Sequence, residues 1–126
     1  MTDEALLRIS GLNARELGLL RSALAQSGGI VRAWLFGSRA KGTAKTSSDI
    51  DIAVEGLPTN LQVEDLRDRL NDLPFPYAVD VQAVEGIKNA ALRDHIVRCG
   101  VLLFENARLE PSSSDRTASL VGWGRA

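Results

Sequence analysis

The stretch LFGSRAKGTAKTSSDIDIAV, residues 35–54, decides how this chain is read. Its left flank belongs to Ile30 to Phe36 (IVRAWLF), an apolar, β-rich run that predicts a strand broken by Gly37. Its right flank alternates. Asp49, Asp51, Ala53 and Glu55 face one way, and Ile50, Ile52 and Val54 the other, as on a half-buried strand. Residues 38–48 between them are small, polar and basic, with Arg39, Lys41 and Lys45 and no acid, and predict a loop with one helical turn at its start. Carboxylates two apart on a strand project from the same face, close enough to share divalent ions. Their mutual repulsion makes sense if a cation bridges them. Oxygen donors with no His or Cys beside them select a hard ion, Mg²⁺ or Mn²⁺, over Zn²⁺. Gly37 allows the backbone close to an oxyanion. The amides that follow it and the Ser38 hydroxyl are candidates for binding phosphate oxygens, with Arg39, Lys41 and Lys45 adding charge on a triphosphate.

Working outward, residues 2–9 predict a short helical turn opened by Thr2. Asn13 to Gln26 predicts a full helix, with Asn13 and Glu16 as a capping box and Leu17, Leu20 and Leu24 on one stripe. Gly28 and Gly29 stop it. After the turn at Gly56-Leu57-Pro58, Thr59 or Asn60 caps a helix running to about Asp72, with Leu61, Val63, Leu66 and Leu70 inward. Tyr77 to Val84 predicts a strand with Val79 and Val81 on one face and Asp80 and Gln82 on the other. A helix from about Ile87 to Arg98 or Cys99 and a short strand, Val101 to Phe104, follow. The order α-β-β-α-β-α-β predicts an α/β (α+β) domain: a small mixed sheet with helices mainly on one face. Residues 1–105 are expected to form this domain. Residues 106–126, rich in Ser, Gly and Arg, read as a flexible tail.

A chain of 126 residues fits one small domain and has little surface to spare for a deep cleft. The formal net charge of -1 gives no footprint of nucleic-acid or membrane binding. One cysteine, Cys99, excludes an intrachain disulfide. The acidic N-terminus lacks a signal-peptide pattern, and a cytoplasmic location is expected.

The 35–54 stretch resembles the signature of the DNA polymerase β-like nucleotidyltransferases, in their minimal (MNT) branch: Gly-Ser, ten residues, then Asp-x-Asp. Here these are Gly37-Ser38, residues 39–48, and Asp49-Ile50-Asp51. The resemblance spans roughly residues 12–104. It implies the palm-like nucleotidyltransferase fold and a third carboxylate on a later strand, which Asp80 matches. It further implies ATP or another NTP as donor, two Mg²⁺ ions (or Mn²⁺) on Asp49, Asp51 and Asp80, and transfer of a nucleoside monophosphate, most often AMP, to a hydroxyl. Longer relatives carry a helical acceptor domain that this chain lacks room for. Minimal members are often paired with a helical HEPN toxin, whose tyrosine the antitoxin adenylylates. That pairing is the leading expectation. A homodimeric small-molecule transferase and a nucleotide-binding module without turnover are the alternatives.

Other conspicuous residues carry plainer expectations. His95 reads as structural or surface, Cys99 as a small core residue, Trp34 as core or sheet face, and Tyr77 as packing near the third aspartate.

Overall fold

The computed structural model describes residues 2–43, 45 and 48–106. Its helices are α1 (Asp3–Ser10), α2 (Ala14–Gln26), α3 (Ser38–Lys41), α4 (Asn60–Asn71) and α5 (Ala90–Cys99). Its strands are β1 (Arg32–Phe36), β2 (Ile50–Glu55), β3 (Val79–Ala83) and β4 (Val101–Glu105). The sheet order is β3-β2-β1-β4. β1 is antiparallel to both its neighbours, while β2 and β3 are parallel and joined through α4, as a parallel pair requires.

The helix starts follow from side-chain chemistry. Asn13 accepts from the Glu16 amide at 2.8 Å, and Glu16 returns the bond to the Asn13 amide at 3.0 Å. Thr59 and Gln62 form the same reciprocal cap on α4. Each box satisfies amides that the first turn of a helix leaves orphaned. Leu17, Leu20 and Leu24 of α2 are buried, as their spacing predicts, with Val63, Leu66 and Leu70 of α4 beside them. Burial of a side chain of this size is worth about 1.5–3 kcal/mol. Leu61 departs from its expected inward place: at the second position of α4 it is 77% exposed.

The strand alternation divides the sheet. Ala33 and Leu35, Ile50, Ile52 and Val54, and Val79 and Val81 join one cluster under α1, α2 and α4. Trp34 and Ala53 join a second, smaller cluster with Val84, Ile87 and Ile96 from the α5 side. Three helices, α1, α2 and α4, thus cover one face and α5 the other. A 3-10 turn, Val84–Gly86, intervenes before α5, which therefore begins at Ala90, later than the sequence predicts. The expected tail lies outside the described residues except for Asn106, whose amide donates to the Val31 carbonyl at 2.9 Å. No described helix is long and apolar enough to cross a membrane.

Candidate active site

The site forms on the less covered face, at the N-terminal ends of β2 and β3. Parallel pairing sets Asp51 opposite Asp80, and antiparallel pairing sets Phe36 opposite Asp51 on its other side. Neighbouring strands lie about 4.8 Å apart, so the Asp51 and Asp80 side chains rise next to one another. Asp49 stands just before β2 and is exposed, Asp51 is half-buried, and Asp80 is exposed on the edge strand. The Asp51 carboxyl is held above the ordinary aspartate value, first by burial and then by the negative charges of Asp80 and Asp49. The electrostatic cost that the Asp-x-Asp pattern implies is therefore present, with all three carboxylates sharing in it.

Gly37 closes the other side. It caps α3 with φ 74° and ψ -153°, a conformation open essentially only to glycine. A Cβ there would lie 2.5 Å from Asp51 Oδ2. Gly37 and Asp51, fourteen positions apart in sequence, are thus in direct contact. α3 is only four residues long and ends at Gly42, whose amide returns to the Ser38 carbonyl.

The basic residues divide. Lys41 and Lys45 are exposed near this turn. Lys45 is tied to Ser48 by its amide, which donates to Ser48 Oγ at 2.9 Å, and by its carbonyl, which accepts from the Ser48 amide at 3.0 Å. Arg39, expected on the triphosphate, is instead 1% exposed and directed into the protein. Its guanidinium is held by the carbonyls of Ser10 and Ser48 and by the Tyr77 ring, because α3 turns that side chain away from the strand ends.

Arg67 was not singled out in the sequence. Its Nε lies 3.4 Å from Asp80 Oδ1, and its Nη2 donates to the Val81 carbonyl at 2.8 Å. The signal for it is faint: Arg67 stands four residues after Val63 and three before Leu70, at the border of the buried stripe of α4. Among the described residues, no three acidic, His or Cys side chains already stand in ion-binding geometry. Asp80 engages Arg67 in this arrangement.

A cleft of about 420 Å³ adjoins Gly37, walled by Phe36, Lys41, Leu92, His95 and Cys99. His95 is exposed, in line with expectation. Cys99 is exposed too, not a core residue, because the last turn of α5 presents Ile96 to the sheet in its place. Trp34 is buried on the sheet face.

Residues 20–109 match the family model described as Polymerase beta, Nucleotidyltransferase. This chain belongs to that nucleotidyltransferase family. The matched region runs from within α2 past β4, so it takes in the whole sheet and every site residue named above. No curated protein sequence matches the chain significantly. Solved structures do resemble it. A toxin–antitoxin complex with AMP-PNP aligns at TM-score 0.62 and 24% identity, over 73% of this chain and 75% of the other. A mutant MntA–HpeT toxin–antitoxin complex aligns at 0.57 and 25% identity, over 77% of each chain. A complex of tri-AMPylated Shewanella oneidensis HEPN toxin with MNT antitoxin aligns at 0.56 and 20% identity, over 82% and 76%. These likenesses bear out the palm-like nucleotidyltransferase fold and the MNT resemblance.

Proposed function

We propose that this nucleotidyltransferase transfers AMP from ATP to a tyrosine of a HEPN-type helical toxin and thereby acts as its antitoxin. The observation that carries the reading is the Gly37 backbone packed on Asp51, with Asp51 paired in register to Asp80. That contact brings the Gly37–Ser38 turn and the acidic residues to one point, which a merely solvated Asp-x-Asp face does not do. The resemblance to toxin–antitoxin complexes, one with AMP-PNP and one with a tri-AMPylated HEPN toxin, supports the donor and the acceptor.

The donor set fits a hard divalent ion. The candidate ligands are carboxylates, and the charge repulsion that raises Asp51 is relieved by a cation. Mg²⁺ characteristically takes few carboxylates and completes its shell with water and substrate phosphates, which suits a set that is not a closed cage. Asp49 and Asp51 would hold the ions, with Asp80 joining from β3. When bound, such ions neutralise charge on the triphosphate and on the departing pyrophosphate.

The remaining steps belong to the chain. The Gly37 and Ser38 backbone and the Ser38 hydroxyl bind phosphate oxygens, and Lys41 and Lys45 add positive potential around them. Asp80, nearest the open edge, orients the acceptor hydroxyl and takes its proton. The tyrosine oxygen bonds to the α-phosphorus in line, the α–β bridging P–O bond breaks, and pyrophosphate leaves with that electron pair. In this reading the acceptor tyrosine belongs to the partner.

Three measurements test this. Asp49→Ala and Asp51→Ala should each abolish transfer of label from α-labelled ATP while circular dichroism stays native; retained labelling in either variant defeats the assignment. Co-expression with a HEPN partner, followed by intact mass, should show the partner gaining one or more AMP masses. An unmodified partner removes the protein-adenylylation reading. ATP binding should also be lost in EDTA.

A further inference from the structure

Arg39 directly follows Ser38, yet its side chain runs inward. Nε and Nη2 both donate to the Ser48 carbonyl, at 3.2 and 2.8 Å. Nη1 donates to the Ser10 carbonyl at 2.8 Å, at the C-terminal end of α1, where a helix carries partial negative charge. The guanidinium carbon stands 4.4 Å from the centre of the Tyr77 ring, in cation–π range. The Tyr77 hydroxyl donates in turn to Glu16 Oε1 at 3.5 Å, and that carboxylate is fixed by the α2 capping box.

The positions of these partners in sequence matter. Ser48 immediately precedes Asp49, Tyr77 stands three residues before Asp80, and Arg39 itself comes two after Gly37. One buried cation therefore joins the approach to all three parts of the site. The first β2–β3 contact lies beside it, where the Ile50 amide donates to the Ala78 carbonyl at 2.9 Å. A charge taken so far from water is retained only with strong hydrogen bonds, and removing it strands the buried Ser10 carbonyl and the part-buried Ser48 carbonyl it serves.

We infer that Arg39 is a positioning residue. It couples the Gly37–Ser38 turn to the segment that carries Asp49 and Asp51, and so sets the carboxylate pair relative to the donor phosphates; it does not touch the triphosphate. The coupling stands on the geometry alone, and its consequence for catalysis rests on the nucleotidyltransferase reading. Arginine is specifically required. Its planar fork reaches two separate carbonyls and stacks on the ring at once, which a lysine ammonium cannot do.

The test compares Arg39→Lys with the wild-type chain. Hydrogen exchange of amides in the 48–52 segment should quicken about ten- to a hundredfold, as expected for loss of hydrogen bonds to a charged group, while exchange in α4 stays unchanged. Mn²⁺ affinity without nucleotide should fall about tenfold. In transfer assays kcat should fall by about a hundredfold with KM for ATP held within about threefold, since a misplacement near 1 Å acts on the transition state. Unchanged exchange at 48–52 overturns the inference, as does a rise in KM with kcat and exchange preserved, which marks a phosphate contact. Exchange and Mn²⁺ binding need no turnover, so they decide the coupling even if the chain transfers no nucleotide. If Arg39→Lys does not fold, Tyr77→Leu removes the ring and its hydroxyl bond to Glu16 while leaving the guanidinium on its carbonyls. It should quicken exchange in the same segment by about three- to tenfold, and no change there overturns the role of the cluster.

Discussion

Replacing Gly37 with alanine tests the contact on which the site depends. Two costs follow from the structure. The backbone sits at φ 74° and ψ -153°, where a side chain brings strain of about 1–3 kcal/mol. The new Cβ would also lie 2.5 Å from Asp51 Oδ2. To regain ordinary contact the carboxylate must retreat by about 0.9 Å, a displacement that at a reacting centre costs on the order of a hundredfold in rate. The strain alone should lower Tm by about 4–15 °C in a domain of this size. The assays are thermal unfolding followed by circular dichroism, Mn²⁺ titration, and label transfer from α-labelled ATP. We expect a folded but less stable protein with weaker Mn²⁺ binding and a kcat reduced about a hundredfold. A variant with wild-type Tm, metal affinity and turnover would refute both the backbone assignment and the claim that the turn packs on the carboxylate.

Three further outcomes are expected. Asp51 binds its proton more tightly in the folded chain than in the unfolded one, so its ionisation opposes folding: the penalty is absent below the ordinary value of 3.8 and complete above the raised folded value. Asp51→Asn should therefore raise Tm at pH 7 but not near pH 3, and added Mg²⁺ should stabilise the wild-type chain but not the variant; a variant less stable at pH 7 contradicts the repulsion argument. Asn71 brackets Val79, donating from Nδ2 to its carbonyl at 2.9 Å and accepting from its amide at 3.0 Å, so Asn71→Ala should cost about 1–3 kcal/mol in urea unfolding; an unmoved midpoint counts against this edge clamp. Lys41 and Lys45 are exposed, so alanine at either should raise KM for ATP only about two- to fivefold, with the difference shrinking in high salt and kcat preserved; a salt-independent loss of kcat points to a buried role instead.

Much of the fold was legible in local pattern. The capping pair Asn13–Glu16 announces a helix start because the orphaned amides of a first turn need nearby acceptors, and Thr59 or Asn60 marks another, which the structure resolves to Thr59 paired with Gln62. The alternation from Asp49 to Glu55 predicts a half-buried strand because the side-chain period of a strand is two. The same period puts Asp49 and Asp51 on one face without any knowledge of neighbours. Leu61 and Cys99 escaped this reasoning. Whether the end of a helix meets the sheet depends on the angle of packing, and that is not written in the helix's own spacing.

The sequence by itself determined the elements, the acidic pair and the spacing between Gly37-Ser38 and Asp49. These are local quantities, set by backbone period, capping chemistry and residue type. Only the tertiary structure decided three other matters. It set Asp80 beside Asp51 through the parallel register of β2 and β3, a pairing between segments about thirty residues apart. It brought Arg67 of α4 to Asp80. And it turned Arg39 from a presumed phosphate contact into a buried clasp on Ser48, because a side chain two residues beyond a glycine turn points wherever the packing of α3 directs it. Charge and spacing mark a residue as able to bind phosphate; the direction in which the folded backbone projects it decides what it meets.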